Sequence, residues 1–192
     1  MNPISPDVAK QFCYICNWVY ECWVTHKHLF DENTKTETTI SKVKYFTQRL
    51  SVITQEYLLI QICKLHDPAI QKNAVNITID YIIRFGNWGG ADTNKINQYA
   101  LRLAALFDNL KSARNKMLAH NDLEAVMGEA VLGKFPEGLD DEYFLVLQEL
   151  VNTVHEKWHG GPYPFNDLAR ADVEEFLYVL ENTEKAIPSE AK

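Results

Sequence analysis

Positive charge is in short supply in this chain. Nineteen Lys and Arg stand against 26 Asp and Glu, a formal net charge of -7. The whole-protein field therefore offers nucleic acid no general attraction, and any such contact has to come from a local basic patch. Long apolar runs are absent as well: no stretch approaches the ~20 residues of a membrane span. Residues 1–10 (MNPISPDVAK) lack the basic start and apolar core of a secretory signal. Cysteine is sparse. Cys13, Cys16 and Cys22 fall on one predicted helix and Cys63 on another, at spacings that do not suggest a secreted disulfide framework. No repeat or low-complexity tract stands out. These absences predict a cytoplasmic protein with no membrane segment.

Present instead are 46% apolar residues, with aromatics spread along 192 positions, enough for one domain with a real core. Val8, Phe12, Ile15, Val19 and Trp23 recur at helical spacing, which predicts a helix over 7–29 with Asp7 as its N-cap. A polar segment, DENTKTETT, follows. Thr39 or Ser41 then opens a second helix whose seam is Val43, Phe46, Leu50, Ile53, Tyr57 and Ile60, and Pro68 stops it. Residues 74–85 admit both strand, by their β-branched content, and a short helix, by Val75, Ile79, Ile82 and Ile83; helix is the reading adopted. Gly86, Gly89 and Gly90 form a turn, and Asp92 or Thr93 caps a long third helix. Residues 123–139 are expected to loop. A helix from about Asp140 to Trp158 carries Tyr143, Leu147, Leu150, Val154 and Trp158 on one face. A last helix over 167–184, capped by Asn166 or Asp167, buries Leu168, Val173, Phe176, Leu177 and Leu180. The expectation is an all-α antiparallel bundle of four to six helices. Its core includes Leu50, Ile53, Tyr57, Leu103, Leu106 and Leu110.

The third helix holds the chemistry. Ile96, Leu103, Leu110 and Met117 occupy one register of its seam, and Tyr99, Leu106, Ala113 and His120 the other. Seven of these eight are apolar or aromatic, and His120 puts a titratable ring where the pattern asks for a leucine. Arg114, Asn115 and Lys116 precede it. Between Lys95 and Lys116 five cations (Lys95, Arg102, Lys111, Arg114, Lys116) face one acid, Asp108, which is the local basic patch the net charge demands. On a helix Arg114 and His120 lie about 9 Å and about 120° apart, so they share a substrate only if the helix ends between them or a second copy completes the site. Spacing alone also fits a satisfied histidine at a seam end beside an arginine in a surface ion pair.

Other constellations carry less. Cys13 and Cys16 form C-x-x-C, but His26 and His28 lie roughly 15 Å further along a helix, which favours small core residues over a zinc site. No metal and no cofactor is expected. His66, before Asp67 and Pro68, reads as a helix C-terminal residue favoured by the dipole. His155 and His159 straddle Trp158 without an evident partner. GNWGGADTN has no Walker lysine and no preceding strand.

Arg114-Asn115 followed, after four more residues, by His120 resembles the signature of the HEPN superfamily. The wider phrase, R-x-K-x-x-A-H-x-D closing the third long helix, is similar to its abortive-phage-infection AbiU-like branch, as is QICKLHDPA with Leu65, Asp67 and Pro68. The resemblance spans roughly residues 40–160. It implies a single HEPN-like helical domain over 1–192, with its core at about 40–160 and the helices 7–29 and 167–184 packed on it. It also implies a metal-independent endoribonuclease, a toxin or phage-defence effector, with its site at a homodimer interface. His120 would be the general acid/base, Arg114 the phosphate stabiliser and Asn115 an orienting group, with Lys111, Lys116 and Arg102 as RNA contacts. The partners implied are RNA, a second copy, and an antitoxin or defence protein. A non-catalytic HEPN-type binding or assembly subunit is the other reading. Asp122 stands where superfamily members modified by a nucleotidyltransferase carry tyrosine, a departure that argues against that mode of control.

Overall fold

A computed structural model describes residues 4–32, 44–113 and 138–183. Among them are six α-helices and one short hairpin. Helix α1 (Pro6–His26) runs into a single π turn (Lys27–Asp31). It is followed by α2 (Lys44–Leu65), β1 (Ile70–Gln71), β2 (Ala74–Val75), α3 (Ile79–Phe85), α4 (Gly90–Ala113), α5 (Leu139–His159) and α6 (Leu168–Thr183). Among the described residues the fold is all-α but for the antiparallel pairing of Ile70 with Val75 and Gln71 with Ala74. The expected helix at 74–85 is thus split, its first part a strand and its last seven residues α3. Thr78 makes the division: its Oγ1 accepts the Tyr81 N–H at 3.2 Å and starts the helix. At the first helix the cap is Ser5 and not Asp7. Ser5 Oγ accepts from Val8 N at 3.3 Å, and Pro6 takes the first helical position, where a missing N–H costs nothing. The expected starts of the second helix at Thr39 or Ser41, and most of the loop at 123–139, lie outside the described residues.

The described residues group into two compact units, one within Met1–Val19 and Glu56–Phe165, the other within Tyr20–Gln55 and Asn166–Lys192. In the first, α4 packs along α5. Trp88 near the start of α4 meets Trp158 at the end of α5, Tyr99 donates to Glu149, and Arg102 pairs with Glu142, so the two helices are antiparallel. The apolar seams of both helices are buried along the described residues: Ile96, Leu103, Leu106 and Leu110 on α4, and Tyr143, Leu147, Leu150 and Val154 on α5. Asp140, Asp141 and Glu142 in the first turn of α5, with Lys157 and His159 in its last, complement the helix dipole. The second unit has a small core of Leu29, Val173 and Leu177, edged by Phe30. Within it His26 Nδ1 lies 2.8 Å from Thr54 Oγ1, and Asn166 Nδ2 donates to Glu21 at 2.8 Å.

Two expectations about the core are corrected. On α2 the seam Phe46–Ile53–Tyr57–Ile60 is exposed, Leu50 is half-buried, and the buried side chains are Leu58, Leu59, Ile62, Cys63 and Leu65. Helix α2 is apolar on two faces, and a periodic stripe does not say which face the core takes. On α6, Val173 and Leu177 are buried, while Leu168 and Phe176 are exposed.

Candidate functional site

The seam of α4 leads to the motif read from the sequence. The helix is described as far as Ala113, and Arg114, Asn115, Lys116 and His120 lie outside the described residues. The other two basic residues assigned to RNA lie within them. Arg102 Nη2 is 2.5 Å from Glu142 Oε1, and Lys111 Nζ is 3.9 Å from Asp108 Oδ1. Both side chains are well exposed, yet each already faces a carboxylate. Nine residues apart on a helix, they point about 180° from one another. They do not share one cationic face of α4.

A polar node absent from the sequence reading sits seven residues before Arg114. The His66 ring stacks on Phe107 of α4, with centroids 4.1 Å apart and planes within 3°, and its Nε2 lies 2.9 Å from the Tyr143 hydroxyl of α5. Burial lowers the His66 pKa from 6.5 to about 4, so the ring is neutral near pH 7. This corrects the expectation of a dipole-favoured cation: desolvation outweighs the helix end. Burial also pushes the Tyr143 hydroxyl up, with the Cys16 and Cys63 thiols adding to it. Both groups are therefore uncharged, and their hydrogen bond clamps the QICKLHDPA turn to α4 and α5. One signal in the sequence could have found it: His66 continues the stripe Leu59, Ile62 in steps of three and four.

The turn itself is held from α3. Asp80 accepts the Ala69 N–H at 2.9 Å and the Arg84 Nε–H at 2.6 Å, and Asn76 Nδ2 donates to Pro68 O at 3.1 Å. Beside it an open groove of ≈530 Å³ is bordered by Ile15, Lys64, Asp67, Asn76 and Thr78. The start of α4 is locked differently. Trp88 Nε1 donates to Ile82 O at 2.9 Å, and a Cβ at Gly86 would strike the Trp88 indole and come within 2.6 Å of that same carbonyl. The glycine is needed for space, not for phosphate. Lys157 Nζ covers Trp88 at 4.6 Å and Trp158 at 5.0 Å, and donates to Asn87 O at 2.6 Å.

The remaining histidines and cysteines have plain roles. His155 and His159, read as unpartnered, stack on each other at 5.0 Å. His155 Nδ1 lies 3.0 Å from Gly161 O and His159 Nε2 3.0 Å from Pro6 O. Cys13 and Cys16 are buried core residues, their thiols pushed up by desolvation, Cys13 to about 12. No helix among the described residues is long and apolar enough to cross a membrane.

No curated protein and no solved structure matches the chain. A family model does: that of AbiU2, a HEPN family, over residues 7–177, which takes in both units, the His66 turn and the Arg114–His120 motif. The chain belongs to the AbiU2 family of HEPN proteins, an abortive-infection branch.

Proposed function

We propose that this protein is a metal-independent endoribonuclease, a toxin or phage-defence effector of the cytoplasm whose active site forms at a homodimer interface. One observation carries the reading: Arg114-Asn115 and His120 stand at the HEPN signature spacing inside the span of the AbiU2 match. The chemistry suits these residues. His120 accepts the proton of a ribose 2′-hydroxyl, the 2′-oxygen attacks the adjacent phosphorus, and the 5′-oxygen leaves with a proton returned by an imidazolium. The products are a 2′,3′-cyclic phosphate and a 5′-hydroxyl. Arg114 neutralises the phosphate oxygens with a bidentate fork as charge builds on them. Asn115 orients the ring or the phosphate. Lys111, Lys116 and Arg102 hold the flanking RNA; a phosphate at Arg102 competes with Glu142 for the guanidinium. We read the whole of residues 1–192 as one HEPN-like domain.

The non-catalytic alternative, a binding or assembly subunit with an antitoxin or defence partner, is favoured by the net charge of -7 and by the occupied Arg102. Incubation of the purified protein with single-stranded RNA, with and without chelator, separates the two. The expected outcome is chelator-resistant cleavage by wild type, ends carrying the cyclic phosphate, and none by His120→Ala at unchanged circular dichroism. Equal rates for wild type and His120→Ala, or a magnesium requirement, would overturn the ribonuclease mechanism.

A further inference from the structure

We propose that His155 and His159, at the C-terminal end of α5, hold a divalent transition-metal ion of the zinc class. Residues 155–159 read His-Glu-Lys-Trp-His. Two histidines four apart on a helix stand on one face, one turn above the other, and that spacing lets both reach a single ion. The structure stacks the pair, with ring centroids 5.0 Å apart and planes 28° from parallel. A nitrogen that ligates zinc at about 2.0–2.1 Å places its ring centroid about 3.2 Å from the ion. Two centroids 5.0 Å apart then subtend about 100° at the ion, near the tetrahedral angle zinc prefers. Bringing both nitrogens onto the ion takes rotation about the Cβ–Cγ bonds, which leaves the centroids almost in place.

The polar partners of the two rings prepare them for this role. His155 Nδ1 lies 3.0 Å from the Gly161 carbonyl oxygen, and His159 Nε2 lies 3.0 Å from that of Pro6. A carbonyl oxygen only accepts, so these nitrogens carry the protons, and the neutral rings keep bare lone pairs on His155 Nε2 and His159 Nδ1. Neither lone pair has a hydrogen-bond partner among the described residues. An N–H given to a carbonyl is the usual outer support of a metal-bound imidazole, because it fixes the tautomer and raises the basicity of the ligating nitrogen. The support is itself pinned. Gly160 and Gly161, at φ 73° and 77°, turn the chain back over the helix end. Asn152 Oδ1 and Gln148 Oε1 then accept the Tyr163 and Phe165 N–H groups at 3.0 and 2.6 Å, and the Tyr163 ring packs on His155 with centroids 5.2 Å apart. A cation is also favoured by the negative end of the helix dipole. Lys157, on the opposite side of the helix, is turned away to Trp88 and the Asn87 carbonyl. Among the described residues no third His, Cys, Asp or Glu joins the pair. The site is therefore open, with two imidazoles and free coordination positions, and it lacks the third protein ligand of a zinc peptidase. Imidazole nitrogen selects zinc, nickel or copper over magnesium, which takes oxygen. This adds a metal where the sequence led us to expect none. It goes beyond the ribonuclease reading, in which cleavage needs no metal, and stands whether or not the protein cleaves RNA.

The test is calorimetric titration of the untagged full chain with Zn²⁺, Ni²⁺ and Mg²⁺ in turn, read beside the melting temperature. Wild type is expected to take up one Zn²⁺ or one Ni²⁺ per chain, to melt higher with either, and to give no response to Mg²⁺. His155→Gln and His159→Gln each keep an N–H for the backbone carbonyl but offer no imidazole nitrogen. Loss of an outer support alone weakens metal binding about 10–100-fold, so each variant is expected to lose at least about tenfold in affinity, and the double variant to bind no Zn²⁺. His28→Ala, at a histidine on another helix, is expected to bind as wild type does. Imidazole nitrogen resonances of wild type give a reading that needs no variant to fold: Zn²⁺ should shift those of His155 and His159 and leave those of His28 in place. A wild type that takes up no Zn²⁺, a double variant that binds as tightly as wild type, binding that disappears with His28→Ala, or ring resonances of His155 and His159 that ignore the ion would overturn the proposal.

Discussion

A histidine at the C-terminal end of a helix is stabilised as a cation by the dipole, and by that rule His66 should be charged at neutral pH. Its environment reverses the rule. Stacked on Phe107 and bonded to Tyr143, it keeps its neutral form down to about pH 4, whereas the unfolded chain takes up a proton near 6.5. Between those values the unfolded state binds more protons, so stability rises with pH across the window: fully present above about 6.5 and lost progressively toward 4. The size is on the order of 3 kcal/mol. His26, also buried and lowered, contributes with the same sign. Chemical denaturation at pH 7.5 and pH 4.5 for wild type and His66→Gln isolates the His66 share; the variant is expected to lose less on acidification, and equal losses would show that His66 is not the group responsible. Tyr143→Phe leaves the imidazole nitrogen without its partner and should cost about 1–3 kcal/mol at pH 7.5. The helix end and the ring were visible in the sequence, and the stripe Leu59, Ile62, His66 hinted at the core side, but the stacking on Phe107 and the bond to Tyr143 come from other helices and were not legible. The motif differs: spacing alone left Arg114, Asn115 and His120 open between a site and a seam end, the resemblance to HEPN proteins singled them out, and they lie within the span of the family match but outside the described residues.

At the scale of the element, what was legible depended on how one-sided each helix is. Helices α4 and α5 are polar on one face and apolar on the other, so their seams named Ile96, Leu103, Leu106, Leu110, Tyr143 and Leu147, all of which are buried. Helix α2 carries apolar residues on both faces, and periodicity selected the exposed stripe over the buried one. Helix α6 is intermediate: Val173 and Leu177 lie on the core side, while Leu168 lies a full step outside it. Starts were harder than seams. Ser5 won the first cap over Asp7 because Pro6 can occupy only the first helical turn. These distinctions set a paired experiment. Leu106→Ala should cost about 2–5 kcal/mol in urea unfolding, the range for a buried leucine. Leu168→Ala, the same chemical change, should stay within about 0.5 kcal/mol. Similar costs at the two sites would mean that the division between core and surface in these helices is misplaced.

At the scale of the whole molecule the proposed ribonuclease raises the question of why one chain would need another to act on a phosphodiester. Residues six apart on a helix diverge by about 120° and about 9 Å, and in the ribonuclease we propose Arg114 and His120 would both have to address one phosphate. A two-fold axis offers a way to bring His120 of one copy within reach of Arg114 of the other. In that proposal it would also double the cations available to a polyanion, which would help a chain of net charge -7. Co-expression of differently tagged Arg114→Ala and His120→Ala chains, with purification through both tags, isolates the mixed dimer. If each centre takes its arginine from one copy and its histidine from the other, the mixed dimer holds one intact centre and one lacking both residues, and about half the wild-type activity should return. If each centre is built within one chain, both centres stay defective and the mixed dimer is as inactive as its parents. Parental inactivity has to be established first, because leakage from either single variant would imitate recovery. A wild-type protein that cleaves at the full rate while monomeric at the assay concentration would rule out the shared centre without any mixing.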